Sequence, residues 1–576
     1  MTRVNTKTLE SIAKLAITIA ATLLIGCVGV VKPSGLNESI AIASGTVTGT
    51  ARDGNGVLSF KGIPYAAPPI GPLRWRAPQP VSNWTETRSA RAFGAGCWQS
   101  APFDGNVDKM VAAAPKDFNE DCLFVNVWTP ARERNDKLPV MVWLHGGGFQ
   151  FGNGNLPRRG DAAPPLVNKG VVLVSLNYRL GVFGFFAHPQ LSAESNGLGS
   201  GNYGMLDIVA ALQWVKSNIA QFGGDPNKVT LFGNSAGAHA VGMLMASPLS
   251  RGLFQQAIGQ SGAFWESDNG EPKRLAQIEP FGVTLASKLG ASSLAASSLA
   301  TNSLTANSLT ANSLDAMRRV DALSLQKATN WTFAADPTPI TWSPIIDGHV
   351  LPDSAYQRFA KGQQNDVPLL VGWNASEGFP VFAARSLMRS PPTAPRKTKS
   401  DFVMAVSQRY GANADALLAL YPATSDEQAM ASANALVGDE IIAYQTWAWA
   451  VAQKRTGRAP VYAYYYEHRS PFAPLPMHIS EVPFVFNDLS GAYAGGPPPQ
   501  SPAAAVDLQL ADRIASYWSN FAKTGNPNGA GLPNWPAFDG AGSQVMRLKD
   551  LPAAGSDPSI ERYRMLHKIK GRQTAP

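Results

Sequence analysis

Cysteine is scarce: three residues in 576, at positions 27, 97 and 122, too few for a fold stapled by many disulfides. Charge of one sign is scarce too. The formal net charge of +8 comes from 49 Lys and Arg against 41 Asp and Glu, without a long basic run. That argues against nucleic acid as a partner and for scattered, solvated charge. No group of His, Cys, Asp or Glu has metal-ligand spacing, and no cofactor is expected. Long apolar runs are absent except near the N-terminus. What is present is apolar mass: 45% of residues are hydrophobic and 16% charged, ample for a large buried core. The length permits two or more domains, yet no convincing linker to a second one appears.

The one long apolar stretch, Leu15 to Gly26, follows Arg3, Lys7 and Lys14 and ends in Leu24-Ile25-Gly26-Cys27. It resembles a bacterial lipoprotein signal, in which cleavage precedes the cysteine and that residue is acylated. The resemblance implies a signal peptide over 1–26, a lipidated Cys27 and an exported protein at the cell envelope, with secretion as the alternative. A rival is an uncleaved anchor reaching Val31, about the minimum for a span. Residues 27–45 then read as a tether, and a folded domain over 46–570. Cys97 and Cys122 remain as a pair in an oxidising compartment. They read as a disulfide, against the alternative of two reduced buried thiols.

Prolines between Tyr65 and Pro80 forbid regular helix. The apolar run Leu138 to Leu144 reads as a strand and opens into His145-Gly146-Gly147-Gly148-Phe149. A second apolar run, Gly170 to Leu176, precedes Asn177-Tyr178-Arg179. Runs of Val, Leu and Ile without alternation suggest strands buried on both faces of a mostly parallel sheet, hence an α/β protein. Leu206 to Ile219 has helical spacing, and Gly223-Gly224-Asp225-Pro226 stops it. From Leu294 to Leu314 a Ser-Leu pair recurs every five residues. These copies are too few for a solenoid, so the insert near 291–314 reads as an expanded surface loop or helix without a catalytic role.

The most informative stretch is Val229-Thr230-Leu231-Phe232-Gly233-Asn234-Ser235-Ala236-Gly237-Ala238-His239. Strand-forming residues lead into Gly-x-Ser-x-Gly and small helix-compatible ones follow. A strand-to-helix elbow this sharp excludes side chains beyond hydrogen on both sides and leaves the Ser235 hydroxyl at the top of a sheet. A serine hydroxyl needs an adjacent base, and the base an orienting anion. The oxyanion formed by its attack needs preorganised donors. The elbow offers the Ala236 N–H, and the glycine run offers Gly147 and Gly148.

Taken together, Gly62-Ile63-Pro64-Tyr65-Ala66, Glu120-Asp121-Cys122-Leu123-Phe124-Val125-Asn126-Val127, His145 to Phe149, Asn177-Tyr178-Arg179-Leu180-Gly181, Gly201-Asn202-Tyr203-Gly204, the Ser235 elbow and Tyr517-Trp518-Ser519-Asn520-Phe521-Ala522-Lys523-Thr524-Gly525 resemble, in order, the type-B carboxylesterase and cholinesterase family. The resemblance implies one α/β-hydrolase domain, a mostly parallel central sheet flanked by helices, and serine carboxylic-ester hydrolysis through an acyl-enzyme on small-molecule esters. It also supports the Cys97–Cys122 pairing. In Leu370 to Phe379 it implies Glu377 as the acid, with Asp347 a rival that reads more simply as a turn cap. His478, followed by Ile479-Ser480-Glu481-Val482-Pro483-Phe484, matches the family's catalytic histidine. His468 lacks that context, and His239 is too near Ser235 in sequence to reach its hydroxyl. Ser261 matches a serine that supports the acid. The sequence departs from cholinesterases at Asn234, where they carry glutamate, and lacks their cation-binding tryptophan in the Cys97–Cys122 loop. Choline esters are therefore not the expected substrates. Phe149, Phe151, Phe264, Trp265, Trp342 and Phe379 are candidates for an apolar pocket or for core packing. The alternative to an enzyme is a non-catalytic adhesion module of the same fold. The natural ester and the oligomeric state are not legible.

Overall fold

The computed structural model describes residues 35–99, 118–156, 163–262, 272–294, 314–329, 342–378, 398–490, 501–540 and 544–571. Cys27, the whole 1–26 segment, Phe264, Trp265, Phe379 and most of the Ser-Leu repeat lie outside them.

Ten strands build the main sheet: β1 Leu58–Pro64, β2 Phe124–Thr129, β3 Leu138–Leu144, β4 Val172–Leu176, β5 Gly224–Asn234, β6 Gln256–Gln260, β7 Leu369–Asn374, β8 Val461–Tyr466, β9 Gln544–Leu548 and β10 Ala553–Ser556. Their spatial order is β1-β2-β4-β3-β5-β6-β7-β8-β9-β10. From β4 to β9 every neighbouring pair is parallel. Antiparallel pairs close the two ends. Strand β3 has the bounds expected from its apolar run, and β7 and β8 are buried at every position.

Alternation along β3 divides the core. Val140, Val142 and Leu144 join one cluster with Met205 and Leu212 of helix α1 (Tyr203–Asn218), Ala240 and Met243 of α2 (Ala236–Ala246) and Trp449 of α3 (Tyr444–Thr456). Met141 and Trp143 join another with Leu510, Ile514 and Trp518 of α4 (Ala505–Thr524). Two-residue periodicity thus sends successive side chains to helices on opposite faces. Helix α1 starts three residues before Leu206 and passes into a tighter turn, Ile219–Phe222. Gly223, at φ 78°, ends that turn in the left-handed region open to glycine.

The folded chain begins before Thr46, which shortens the expected 27–45 tether. Ser39–Ile42 and Gly45–Thr48 pair as a hairpin, and Ile40 is completely buried. The alternate burial of Ser39–Ile42 fits a strand with one covered face, and its two isoleucines are the covered residues. Cys97 and Cys122 are joined by a disulfide. Among the described residues no helix is long and apolar enough to cross a membrane.

Candidate active site

Ser235 stands between β5 and α2 at φ 56° and ψ −124°. Such a conformation is sparsely populated for a residue with a side chain and persists only where its surroundings enforce it. A Cβ on Gly233 would lie 2.7 Å from the Gly237 carbonyl carbon and 2.8 Å from the Leu144 oxygen. One on Gly237 would collide with that same Leu144 oxygen. Strand and helix therefore meet backbone to backbone, as the Gly-x-Ser-x-Gly spacing requires. The Ser235 N–H donates to the Gln260 carbonyl at 2.9 Å, and the His239 N–H donates to the Ser235 carbonyl at 2.9 Å. The elbow is thus tied to β6 and to the first turn of α2.

The glycine loop leaves β3 at Leu144 and runs against this elbow. A Cβ on Gly146 would stand 3.1 Å from that of Ser235. Gly147 at φ 115° and Gly148 at φ 61° carry the loop through conformations that side chains resist. The Gly147 carbonyl accepts from the N–H groups of Gln150, 2.9 Å, and Phe151, 3.1 Å. No described backbone carbonyl accepts from the Gly147 or Gly148 N–H. The Ala236 N–H opens α2, where an N–H has no partner within the helix. His145 anchors the loop. Its Nδ1 is 2.8 Å from the Gly146 carbonyl, which only accepts, so Nδ1 carries the proton. The ring stacks on Tyr178 at 4.4 Å, and the Tyr178 hydroxyl donates to the His145 carbonyl at 2.8 Å. Burial pushes His145 down to about 4 and keeps it neutral.

Glu377 and His478 come together although 101 residues separate them. The Ser376 N–H donates to the Pro476 carbonyl at 3.0 Å, and Ser376 and Met477 form a parallel bridge. This clasp aligns the turn after β7 with the loop holding His478. His478 Nδ1 lies 2.6 Å from Glu377 Oε2, and both residues are buried. The other carboxylate oxygen accepts from the Asn374 N–H at 2.6 Å. Ser261 acts one step away: its hydroxyl accepts from Asn374 Nδ2 at 3.2 Å.

The same Asn374 amide donates to Glu481 Oε2 at 2.7 Å. Sequence reasoning missed Glu481, a completely buried carboxyl that also faces Gln260 Nε2 and the Tyr464 hydroxyl, each at 3.3 Å. Burial, then the charge of Glu377, pushes Glu481 above the usual carboxylate range, against the pull of the Asn374 bond. Its one readable signal is the spacing from His478, three residues along a turn. Gln260 is a second hub: its carbonyl holds Ser235 N–H, and its side-chain oxygen accepts from Trp518 Nε1 at 3.2 Å.

The rivals lie elsewhere. Asp347 Oδ1 accepts from the N–H groups of His349, 3.0 Å, and Leu351, 2.9 Å, and is the turn cap it resembled. His468 is held between Asp507, 2.7 Å from Nε2, and Asp550, 2.8 Å from Nδ1. Of the candidate pocket aromatics, Phe149 and Trp342 are buried and Phe151 is partly accessible. Phe149 packs edge-on against Phe185, and Trp342 lies tilted against Phe186.

A family model described as the Carboxylesterase family matches residues 37–566. The chain is 35% identical over 562 residues to a fumonisin B1 esterase of Sphingopyxis macrogoltabida, covering 95% of this chain and 93% of that protein. It is 34% identical over 542 residues to the para-nitrobenzyl esterase of Bacillus subtilis (strain 168), covering 93% and 99% respectively. Among solved structures, a thermophilic PNB esterase superposes with a TM-score of 0.72 at 30% identity, over 92% of this chain and 100% of that one. An elbow serine on a parallel sheet, a glycine loop against it and similarity along nearly the whole chain agree: this protein belongs to the carboxylesterase family, as an α/β-hydrolase that cleaves carboxylic esters.

Proposed function

We propose that the ester is cleaved by Ser235, His478 and Glu377 acting as nucleophile, base and orienting acid. The reading rests on one observation above the rest: His478 presents Nδ1 to Glu377 at 2.6 Å. That bond fixes the tautomer, so the other ring nitrogen is the one to take the Ser235 proton. Ser235 Oγ attacks the ester carbonyl, Glu377 stabilises the imidazolium, and the alcohol leaves with the proton from His478. Water then hydrolyses the acyl-enzyme with the same base. The N–H groups of Gly147, Gly148 and Ala236 hold the oxyanion, each worth about 3 kcal/mol of transition-state stabilisation when removed singly. An adhesion module would have no use for a buried imidazole–carboxylate pair behind an accessible serine.

The substrates are small-molecule esters, for which p-nitrophenyl and p-nitrobenzyl esters are serviceable probes. Ser235→Ala should abolish p-nitrophenyl acetate hydrolysis while leaving circular dichroism and the unfolding midpoint unchanged. Undiminished turnover would refute the assignment. The segment before the folded body is read as a lipoprotein signal, with Cys27 acylated and the enzyme held at the cell envelope. Cys27→Ser should move the protein from membrane to soluble fractions or stall processing; unchanged fractionation and processing would exclude lipidation.

A further inference from the structure

Two opposite charges line one cavity and do not meet. The cavity, of about 380 Å³, lies where the outermost strand of the main sheet, β1, faces the small hairpin. Ile63 and Pro64 of β1, Phe124 at the start of β2 and Val47 of the hairpin give its apolar walls. Arg88 and Asp121 give its charge. Ser235, Glu377, His478 and the oxyanion glycines are not among its lining residues. Its size falls within the range of pockets that hold small molecules, about 300–1,000 Å³.

Both charges are held in place. Arg88–Ser89 pairs in parallel with Val47–Thr48, and the Arg88 guanidinium lies 4.3 Å from the ring centroid of Trp84. That indole is itself fixed, its N–H donating to the Thr46 carbonyl at 2.9 Å. Asp121 has pinned neighbours on either side. Glu120 receives the Arg74 fork at 2.7 and 2.5 Å, and Cys122 is bonded to Cys97. Among the described residues neither the Arg88 nor the Asp121 side chain has a hydrogen bond or an ion-pair partner, the other included. Burial raises the Asp121 carboxyl above its usual range, and the charge of Arg88 opposes this. The two are near enough to feel each other and too far apart to touch. A half-buried carboxylate here gives up water and receives no protein donor in return, which is costly unless something else supplies one.

We propose that this cavity is a second binding site, for an α-amino acid with an apolar side chain. The ligand's ammonium meets Asp121, its carboxylate meets the Arg88 fork, and its side chain packs on Val47, Ile63 and Phe124. A ligand with one charge would satisfy one wall and leave the other without a partner. An amino acid carries both charges a few bonds apart, and a guanidinium matches a carboxylate with two parallel hydrogen bonds. The site is independent of the proposed triad, and the failure of either reading leaves the other standing.

The test titrates L-leucine into the full-length protein, followed by calorimetry and thermal shift. L-Leucinamide, which lacks the carboxylate, and N-acetyl-L-leucine, which lacks the ammonium, are titrated beside it. Leucine should bind saturably, with a Kd of about 1 mM or tighter. Each analogue should bind at least about tenfold more weakly, the usual size for one charge-assisted hydrogen bond. The preference over N-acetyl-L-leucine should vanish in Asp121→Asn and the preference over leucinamide in Arg88→Gln, while both variants hydrolyse p-nitrophenyl butyrate at the wild-type rate. Saturating leucine should leave KM for that ester unchanged. Absence of saturable binding, equal affinity for either analogue in the wild type, or preferences that survive in the variants would overturn the proposal. So would competitive inhibition, which puts leucine in the ester cleft. The analogue comparison is made in the unaltered protein, so it decides the matter even where a variant fails to fold.

Discussion

Replacing Glu377 by Gln removes one charge and no volume, and the structure dictates how the new amide sits. The Asn374 N–H points at Oε1 from 2.6 Å and requires an acceptor there. The Gln oxygen must therefore take that position, which turns its NH2 toward His478 Nδ1, where Oε2 now lies at 2.6 Å. Two donors cannot share that contact, so His478 turns Nδ1 into an acceptor and moves its proton to the other nitrogen. On the proposed triad, the nitrogen that should take the Ser235 proton then carries one of its own in place of a lone pair. Carboxylate-to-amide exchange of this kind costs about 10⁴-fold in kcat, close to 5.4 kcal/mol at 1.36 kcal/mol per decade. The assay is steady-state hydrolysis of p-nitrophenyl butyrate at saturating substrate, with the unfolding midpoint as a control. Because no cavity opens, the midpoint should move little. Turnover within tenfold of the wild type, in folded protein, would show that the Asn374–Glu377–His478 chain does not set the tautomer.

Glu481→Gln should behave otherwise. Burial and the Glu377 charge already favour a neutral group there, so kcat should fall less than about tenfold, and a loss as large as that of Glu377→Gln would contradict this division of roles. Asp439 is buried against the Tyr421 hydroxyl, 2.8 Å away; burial pushes it up to about 7, with Arg562 opposing and Asp557 and Glu377 adding. An acid raised in the fold gives stability that is complete below its unfolded value near 3.8 and lost as pH climbs to about 7. Asp439→Asn should therefore gain on the wild type in urea midpoint across that window, and parallel pH curves would refute it. Asp507→Ala, which strips a fully buried partner from His468, should cost about 3 kcal/mol or more, whereas Asp550→Ala should cost under about 1 kcal/mol because that side chain is 70% exposed; equal costs would discredit the ranking. Reducing Cys97–Cys122, which closes a loop across 25 residues, should lower stability by about 3–4 kcal/mol on chain entropy, and an unchanged midpoint would count against that.

Much of this architecture is written locally. The β3 bounds follow from an apolar run ended by glycines, and the elbow from two glycines whose spacing is enforced by backbone contact. The β1–β2 edge and the small hairpin were harder. Ser39–Ile42 buries only alternate residues, and a stretch as short as Ser-Ile-Ala-Ile after small and polar neighbours looks as much like a tether as like a strand. What settles the matter is a partner strand and the burial of Ile40, both tertiary facts. The same holds for His468, whose two carboxylates lie 39 and 82 residues further along. Spacing carries no signal for a contact made by the first turn of α4 and two separate loops.

The support around the acid was illegible for a further reason: part of it is backbone. Asn374 holds Glu377 through its main-chain N–H, which any residue but proline supplies, and spends its side chain on Ser261 and Glu481. A motif reader sees the Glu and misses the atom that orients it. Glu481 is hidden differently. A carboxyl three residues past a histidine at a short helix start is commonly a solvent-facing capping group, with helix-dipole attraction as its reason. Here the bridge between Ser376 and Met477 turns that segment inward and lays Glu481 on Gln260, Tyr464 and Asn374. Two carboxyls then share one dry site. Glu377 faces the imidazole of His478, and Glu481 accepts from two amides and a phenol. Burial and the neighbouring Glu377 charge push Glu481 upward while its bonds from Asn374 and Gln260 pull it down, and the first pair prevails.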